Sequence, residues 1–218
     1  MKTFFFDSIH NTQEFALEEL NNEPILVISF HQEKGKGTSN RSWLNADQSL
    51  ACSFAFNKND SQLNQTLIPL LAGLRFTEML PKLPIFLKWP NDLIMDDLKV
   101  GGILVECVDD KICIGIGINY YWENPTVPNA GALFNGVQKD ELIKEHAIKW
   151  AEKVYDSITH NSFSLESYKA KLQTLGKIVE YPEGRGWAED INENGSLRIK
   201  TTQGKIINLT SPLISEVN

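Results

Sequence analysis

A chain of 218 residues, of which 42% are hydrophobic and 22% charged, is long enough for one sizeable core or for a core with a small appendage. Its 21 basic and 28 acidic residues give a formal net charge of −7, which argues against broad nucleic-acid binding through the phosphate backbone. No apolar run approaches the ~20 residues that would cross a bilayer, and the start MKTFFFDSIHN is too poor in apolar residues for a secretory signal. We expect a cytoplasmic protein with no DNA or membrane partner.

The first half of the chain alternates between strand-like and helix-like stretches. KTFFF predicts a short strand, and Asn11 or Thr12 can cap the helix that follows it. PILVISF is apolar nearly throughout, as in a buried strand, and SLACSFAF and IFLKW predict two more strands, the last stopped by Pro90. Apolar residues at helical spacing predict a helix over Gln62–Leu80.

The next stretch predicts a hairpin, a loop and two helices. GGILVECV and KICIGIGI pair around Asp109–Asp110. The polar, proline-rich residues Tyr120–Pro128 predict a long loop, and Glu141–Ile158 and Leu165–Leu172 predict helices.

The character of the chain changes after Leu175. GKIVEY, GRGWAEDI, SLRIKT and KIINLT predict short strands separated by turns, among them Asn194-Gly195 and Gln203-Gly204. This pattern predicts a small all-β appendage comparable to an SH3-like barrel. We place the boundary near Gln173, which divides the chain into residues 1–173 and 174–218.

The cysteines are Cys52, Cys107 and Cys113, an odd number without a C-x-x-C pair. All three lie in apolar segments. Reduced core thiols are therefore expected, rather than a disulfide framework or a zinc site.

A glycine-rich basic loop, HQEKGKGTSNRSW, follows the second predicted strand. A local positive cluster in an acidic chain is a candidate anion site. The alternative is a solvated loop that happens to hold Lys34, Lys36 and Arg41.

A second motif, KWPNDLIMDDLKVGGILVE, covers Lys88–Glu106. A turn after a strand presents Asn91 and Asp92, and the returning strand brings Lys99 to the same rim of the sheet. The glycines beyond Lys99 permit close backbone approach by a ligand. The alternative is an ordinary turn with a solvated lysine.

Together these stretches resemble the biotin–protein ligase family. GKGTSNRSW, KWPNDL, KVGGILVE and GIGIN occur in the order of that family's motifs, and the resemblance extends over nearly the whole chain. It implies an α+β fold: a mixed-sheet, class II synthetase-like catalytic domain followed by an SH3-like barrel. It also implies that biotin is activated with ATP and Mg²⁺ to biotinyl-5′-AMP and then passed to a lysine of a biotin carboxyl carrier protein domain.

The resemblance also implies which residues bind biotin. Thr12 and Gln13 match the pair that binds the ureido group, and Asn11 stands where the family usually has Ser. Amides and hydroxyls suit a flat ureido ring because it offers both donors and an acceptor. Trp43 is expected to wall the apolar part of the ligand. The biotin-binding set is Asn11, Thr12, Gln13, Gln32, Gly35, Lys36, Gly37, Thr38, Trp43, Lys99 and Gly102.

The catalytic and nucleotide-binding residues follow from the same resemblance. Lys99 matches the family's lysine that lies between the biotin carboxylate and the phosphate. Asp92 matches the carboxylate that orients or deprotonates the carrier lysine. Lys36 and Arg41 complete the catalytic set. Asn119 matches an asparagine that reads the adenine edge. The ATP-binding set is Lys36, Arg41, Asn91, Lys99, Gly117 and Asn119. The sequence names no metal ligands.

The basic loop departs from the family's usual pattern, G-R-G-R-x-G-R. Lys36 and Thr38 replace its first two arginines, and Asn40 replaces its last glycine. Lysine cannot make the bidentate contacts of arginine, so we expect weaker phosphate contact unless Arg41 or Arg185 compensates. Asn40 tolerates left-handed backbone, so the turn is expected to survive.

Other functions stay open. Lipoate–protein ligase or octanoyltransferase shares the fold, but the transferase needs a reactive cysteine, and KWPND favours biotin. A biotin-sensing repressor would carry an N-terminal winged helix, whereas this catalytic domain begins close to Met1. A non-catalytic biotin-binding module has no need of Lys99, Asp92 and Asn119 together. Family members often pair through sheet edges, which keeps a homodimer open.

Overall fold

The computed structural model describes residues 1–38, 41–210 and 215–216. The strands are β1 Lys2–Ile9, β2 Ile25–Gln32, β3 Gln48–Asn57, β4 Phe86–Lys88, β5 Asp92–Met95, β6 Leu98–Val108, β7 Lys111–Tyr121, β8 Ile178–Tyr181, β9 Gly184–Ile191, β10 Leu197–Thr201, β11 Ile206–Leu209 and β12 Ser215–Glu216. The helices are α1 Thr12–Glu19, α2 Ile68–Met79, α3 Asp140–Thr159 and α4 Leu165–Lys171. None of the helices in the described ranges combines the length and apolar character needed to span a bilayer.

The first seven strands form a mixed sheet in the order β1-β2-β3-β7-β6-β5-β4. β1 runs parallel to β2, and the other neighbours are antiparallel. Alternate residues of a strand point to opposite sides of the sheet, and here both sides are covered by apolar cores. On β2, Leu26 and Ile28 join the main core with α2 and α3, while Ile25 and Val27 join a smaller core with α1. The nearly continuous apolar run of β2 is thereby explained.

Helix α1 begins where the sequence predicted. Asn11 is its N-cap, and Asn11 Oδ1 accepts hydrogen bonds from the backbone N–H groups of Gln13 and Glu14 at 2.9 and 3.1 Å. This cap holds the first turn of α1 against the sheet, which fixes the direction of the polar side chains that begin the helix.

The helix predicted over Gln62–Leu80 is shorter in the structure. It begins at Ile68, after a 3-10 turn over Gln65–Leu67, and Pro69 lies in its first turn. Proline has no N–H group and is tolerated only at the start of a helix, so the apolar spacing upstream of it does not continue the helix.

The loop predicted over Tyr120–Pro128 begins later than expected. Strand β7 runs to Tyr121, and the irregular segment covers residues 122–139. Tyr120 is fully buried, stacked between Phe134 and His146, and its hydroxyl lies 2.8 Å from His146 Nδ1. Burial of this tyrosine extends the strand beyond the point where the sequence turns polar.

The remaining strands form a second sheet in the order β11-β10-β9-β8-β12. Both predicted turns are present, with Gly195 and Gly204 at φ values of +82° and +81°. The described pairings give an open order, and closure into a barrel stays a prediction, as does the boundary near Gln173. Val179, Ile199 and other apolar residues of this sheet belong to the main core of the first sheet.

Candidate active site

A cavity of about 360 Å³ opens on the α1 side of the large sheet. It lies between the start of α1, the basic loop and the strands β6 and β7. Most of the predicted site residues line it: Asn11, Thr12, Gln13, Gln32, Lys36, Gly37, Thr38, Arg41, Trp43, Asn91, Lys99, Gly102, Gly117 and Asn119. Residues far apart in the sequence are thus brought to one cavity.

Two predicted residues, Gly35 and Asp92, lie beside the cavity rather than in its wall. The Gly35 carbonyl accepts a hydrogen bond from the Trp43 backbone N–H at 2.9 Å, and a Cβ on Gly35 would lie 3.1 Å from the Trp43 Cβ. Gly35 therefore supports the loop that carries Trp43. Asp92 acts on the cavity through Lys99, whose Nζ lies 2.6 Å from Asp92 Oδ1.

One end of the cavity is built from hydroxyl and amide groups. The Thr12 backbone N–H and hydroxyl both donate to Gln32 Oε1, at 2.8 and 2.9 Å. The buried hydroxyl of Ser53 donates to Thr12 Oγ1 at 2.8 Å. These hydrogen bonds occupy the side-chain oxygen of Gln32, so its side-chain nitrogen is left to donate to a ligand.

Ser53 and Gly115 also line the cavity, and the sequence analysis missed both. A polar residue inside the apolar strand SLACSFAF could have indicated Ser53. Gly115 is the first glycine of GIGIN, and a Cβ there would lie 2.5 Å from Gln13 Oε1. A Cβ on Gly117 would lie 2.8 Å from the Trp43 ring. The glycines of β7 therefore form a floor on which the side chains of Gln13 and Trp43 rest.

Lys99 reaches the cavity because β6 contains a bulge. β5 pairs Asp92 with Gly102 and Leu93 with Gly101, but Ile94 pairs with Lys99, so one residue of β6 is skipped. An extra residue in one strand changes the face of the sheet to which the side chains on its far side point, here those of Lys99 and Leu98. Lys99 consequently lies on the same face as Gly102, with its Cε 3.5 Å from the position of a Gly102 Cβ and its Nζ 5.7 Å from the centroid of the Trp43 ring.

Two cations of the basic loop, Lys36 and Arg41, have partners within the chain. Lys36 Nζ lies 2.5 Å from Glu14 Oε1 on α1. The hydrogen bond from Lys36 lowers the pKa of Glu14, and the same bond raises the pKa of Lys36. Arg41 Nη2 donates to Thr38 Oγ1 at 3.0 Å.

Two further expectations for the basic loop concerned Arg185 and Asn40. Arg185, named above as a compensating cation, pairs with Glu180 in the second sheet and does not line the cavity. Asn40 lies outside the described residues.

Asn119 marks the other end of the cavity. It is 3% exposed, and its Nδ2 donates to the Gly131 carbonyl at 2.9 Å. Its Oδ1 is one of the buried atoms that have no hydrogen-bond partner in the described part of the chain. A buried acceptor without a partner is costly, so this oxygen suits a donor group on a ligand.

The cysteines differ from expectation at one position. Cys52 and Cys113 are buried, and burial raises the pKa of both thiols. Cys107 is exposed, so the prediction that all three are core thiols is wrong there. The edge position of Cys107 near the end of β6 explains its exposure. Within residues 1–38, 41–210 and 215–216, no group of three or more His, Cys, Asp and Glu residues could hold a metal ion.

The fold is that of biotin protein ligases. The structure of biotin protein ligase from Aquifex aeolicus in complex with biotin and ATP matches with a TM-score of 0.82 and 27% sequence identity, over 99% of this chain and 98% of that one. The model of the biotin/lipoate A/B protein ligase family matches residues 5–119. The chain therefore belongs to that family.

Sequence relatives agree with this placement. Biotin--protein ligase 1, chloroplastic, of Arabidopsis thaliana is 28% identical over 195 residues, which are 79% of this chain and 52% of the relative. The biotin--[acetyl-CoA-carboxylase] ligase of Paracoccus denitrificans is 27% identical over 208 residues, 82% of this chain and 85% of the relative. The chain thus spans about half the length of the plant ligase and most of the length of the bacterial one.

Proposed function

We propose that this chain is an ATP-dependent biotin–protein ligase that joins biotin to a lysine of a biotin carboxyl carrier protein domain. The observation that carries the proposal is the position of Lys99. It lies in a cavity with hydroxyls and amides at one end. At the other end is Asn119 Oδ1, an acceptor that has no hydrogen-bond partner among the described residues. An ammonium at this place can neutralise two anionic groups that meet there.

The hydroxyl–amide end suits the ureido group of biotin. A ureido ring offers two N–H donors and one carbonyl acceptor. The hydroxyl oxygens of Thr12 and Ser53 can accept from the N–H groups, and the amide nitrogens of Gln13 and Gln32 can donate to the carbonyl. Trp43, which rests on the glycine floor, supplies an apolar wall for the rest of the ligand.

The first step joins the biotin carboxylate to the α-phosphate of ATP. A carboxylate oxygen attacks the α-phosphorus, the bond to the bridging oxygen breaks, and pyrophosphate leaves with the electron pair. Lys99 is placed to offset the negative charge that gathers during this attack, which is the main requirement of such a step. Asn119 Oδ1 can accept from the exocyclic amine of adenine, whereas guanine would present an oxygen there.

Mg²⁺ belongs to the proposal as a companion of ATP. This ion usually keeps several waters and is held by one or two carboxylates together with the substrate phosphates. In the described part of the chain no Asp or Glu lines the cavity, so the substrate phosphates and water would supply most ligands of this ion. With bound ATP, Mg²⁺ would supply additional charge neutralisation at the phosphates.

The second step transfers the biotinyl group to the carrier. The lysine amine attacks the carbonyl carbon of the anhydride, the bond from carbon to the phosphate oxygen breaks, and AMP leaves. The attacking nitrogen loses a proton, for which Asp92 is the acceptor we propose. The side chain of Asp92 is 27% exposed, so a lysine arriving from solvent can reach it.

The test is mass spectrometry of a carrier domain after incubation with this protein, MgATP and either biotin or lipoate. We expect a biotinyl-sized mass gain at the target lysine and none on a carrier in which that lysine is replaced by arginine. A lipoyl gain instead would select the lipoate ligase of the same family, and an unmodified carrier with both acids would overturn ligation.

Two further proposals concern the setting of the enzyme. A cytoplasmic location is supported by the three free cysteines, which suit a reducing compartment. A homodimer is supported by β1, an edge strand of the large sheet that could pair with a second copy. Light scattering with size-exclusion chromatography, with and without biotin and ATP, tests the second proposal.

A further inference from the structure

Strands β6 and β7 separate at the edge of the cavity. Their pairing, which begins at the hairpin turn, ends where Gly101 faces Ile118. Beyond this point β6 carries Lys99 and β7 carries Asn119. The segment that follows β7 returns to this gap and forms a parallel bridge between Ala130 and Lys99.

Gly131 lies at the centre of the gap and contacts both strands through its backbone. Its N–H donates to the Lys99 carbonyl at 2.9 Å, and its own carbonyl accepts from Asn119 Nδ2 at 2.9 Å. The neighbouring Asn129 carbonyl accepts from the Lys99 N–H at 2.7 Å. The main chain of Lys99 is therefore held on both sides by the segment that also holds the Asn119 amide.

The segment fits this gap only with glycine at position 131. A Cβ on Gly131 would lie 2.7 Å from the Cβ of Leu98, a contact that rotation of the Leu98 side chain cannot relieve. Gly131 is buried, so the chain cannot move aside into solvent at that point. Any larger residue would push the segment away from Lys99, from Asn119 or from both.

We propose that Gly131 is a positioning residue that couples nucleotide recognition at Asn119 to the placement of Lys99. This inference rests on the proposed function of the site. A donor on the nucleotide that binds Asn119 Oδ1 fixes the plane of the amide, and the amide nitrogen then holds the Gly131 carbonyl. The Gly131 N–H in turn holds the Lys99 carbonyl, so nucleotide binding favours the position of Lys99 in which its ammonium faces the anions.

The kinetic test compares Gly131→Ala with Gly136→Ala in biotin-dependent pyrophosphate exchange. Gly136 is a matched control, because a Cβ there would meet no atom of the described residues within 4 Å. We expect Gly131→Ala to lower kcat/KM for ATP by about tenfold to a hundredfold, as small misplacements of catalytic groups do. Affinity for biotin alone, measured by calorimetry, should fall by much less than kcat/KM for ATP, since the hydroxyl–amide end is untouched and only the contact of the biotin carboxylate with Lys99 is affected.

The added variant Leu98→Gly/Gly131→Ala removes the colliding Cβ and should recover most of the lost kcat/KM relative to Leu98→Gly alone. Equal exchange in Gly131→Ala and Gly136→Ala would overturn the proposal. A parallel loss of biotin affinity would also overturn it, because the defect would then be general. The proposal would also be overturned if the double variant had a kcat/KM for ATP no higher than that of Gly131→Ala.

Amide hydrogen exchange tests the coupling without chemistry and without altering Gly131. MgATP should slow exchange at the backbone N–H groups of Lys99 and Gly131 in the wild type, and saturating MgATP should fail to do so in Asn119→Ala. Equal slowing in both proteins, or none in the wild type, would overturn the coupling. Since this measurement needs only nucleotide binding, an inability to biotinylate a carrier would count against the proposed function and not against the coupling.

Discussion

At the scale of single residues, the site depends on a close pair of opposite charges at its rim. Lys99 and Asp92 belong to neighbouring strands, and the bulge in β6 turns the Lys99 side chain toward the cavity and within 2.6 Å of the Asp92 carboxylate. The Lys99 side chain is 39% exposed, so the pair adds little to stability and its placement is better explained by function. Each partner can be removed separately to test its role.

We predict that Lys99→Ala removes most adenylate formation while the fold persists. The ammonium is the group placed to offset the charge that gathers between carboxylate and phosphate. Biotin-dependent pyrophosphate exchange should fall by about a hundredfold or more, comparable to loss of a donor in an oxyanion hole. Lys34→Ala is the control, because it removes an equal charge from an exposed lysine that does not line the cavity. Near-normal exchange in folded Lys99→Ala would show that this lysine is only a solvated charge.

A second residue-scale prediction is that Asp92→Asn slows transfer to the carrier more than it slows adenylation. Asparagine keeps the shape of the side chain but cannot accept a proton from the attacking amine. Single-turnover transfer from preformed biotinyl-5′-AMP should fall by about tenfold to a thousandfold, within the usual range for a general base, while pyrophosphate exchange changes less.

Asp96→Asn and Asp97→Asn are matched controls for this prediction. Both residues lie in the turn between β5 and β6 at positive φ, where asparagine is well tolerated. Equal losses in both steps would assign Asp92 to ATP or Mg²⁺ binding instead of proton transfer.

At the scale of elements, an ion pair restrains the middle of the basic loop against α1. Lys36 is held by Glu14, and the loop backbone closes on itself where the Gly37 N–H donates to the Arg41 carbonyl at 2.7 Å. An anionic ligand offers these cations a new partner. We therefore expect biotin with ATP to slow trypsin cleavage after Lys34, Lys36 and Arg41, and equal cleavage with and without saturating ligands would contradict this.

Glu14→Gln tests the ion pair directly. It should speed cleavage of the free loop while leaving protection by biotin and ATP in place, because the ligand replaces the lost carboxylate. The pKa of Glu14 is lowered from its ordinary value of 4.5 by Lys36, so the pair is fully present above that pH and is lost as pH falls through the lowered pKa. Unchanged cleavage of the free variant at neutral pH would show that the pair does not restrain the loop.

The sequence predicted the elements around the site better than the directions of side chains within them. The cap at Asn11 and the hairpin that carries the glycine floor are confirmed, because both depend on local patterns. The bulge that turns Lys99 to the cavity depends on pairing with β5, which spacing alone cannot reveal. Likewise, the Glu14 partner of Lys36 and the Gly131 partner of Asn119 come from segments that only the fold brings together.

At the scale of the whole molecule, the two sheets share one core. Trp89, from the KWPND motif, is 3% exposed, and its indole Nε1 donates to the Gly195 carbonyl at 2.9 Å. Its backbone N–H donates to Thr174 Oγ1 at 2.9 Å. The strand that leads into the active-site turn is thus attached to the turn between β9 and β10, which argues for a single cooperative unit.

We accordingly predict that Trp89→Phe lowers the free energy of unfolding by about 1–3 kcal/mol, the cost of a buried carbonyl without its donor. Urea unfolding followed by circular dichroism and by tryptophan fluorescence should give coincident single transitions in both proteins. Trp187→Phe is the control: this residue of the second sheet is 50% exposed, and its replacement should change stability by less than about 0.5 kcal/mol. Two separate transitions, with Trp89→Phe shifting neither, would mean that residues 174–218 unfold independently and that the shared core does not couple the sheets.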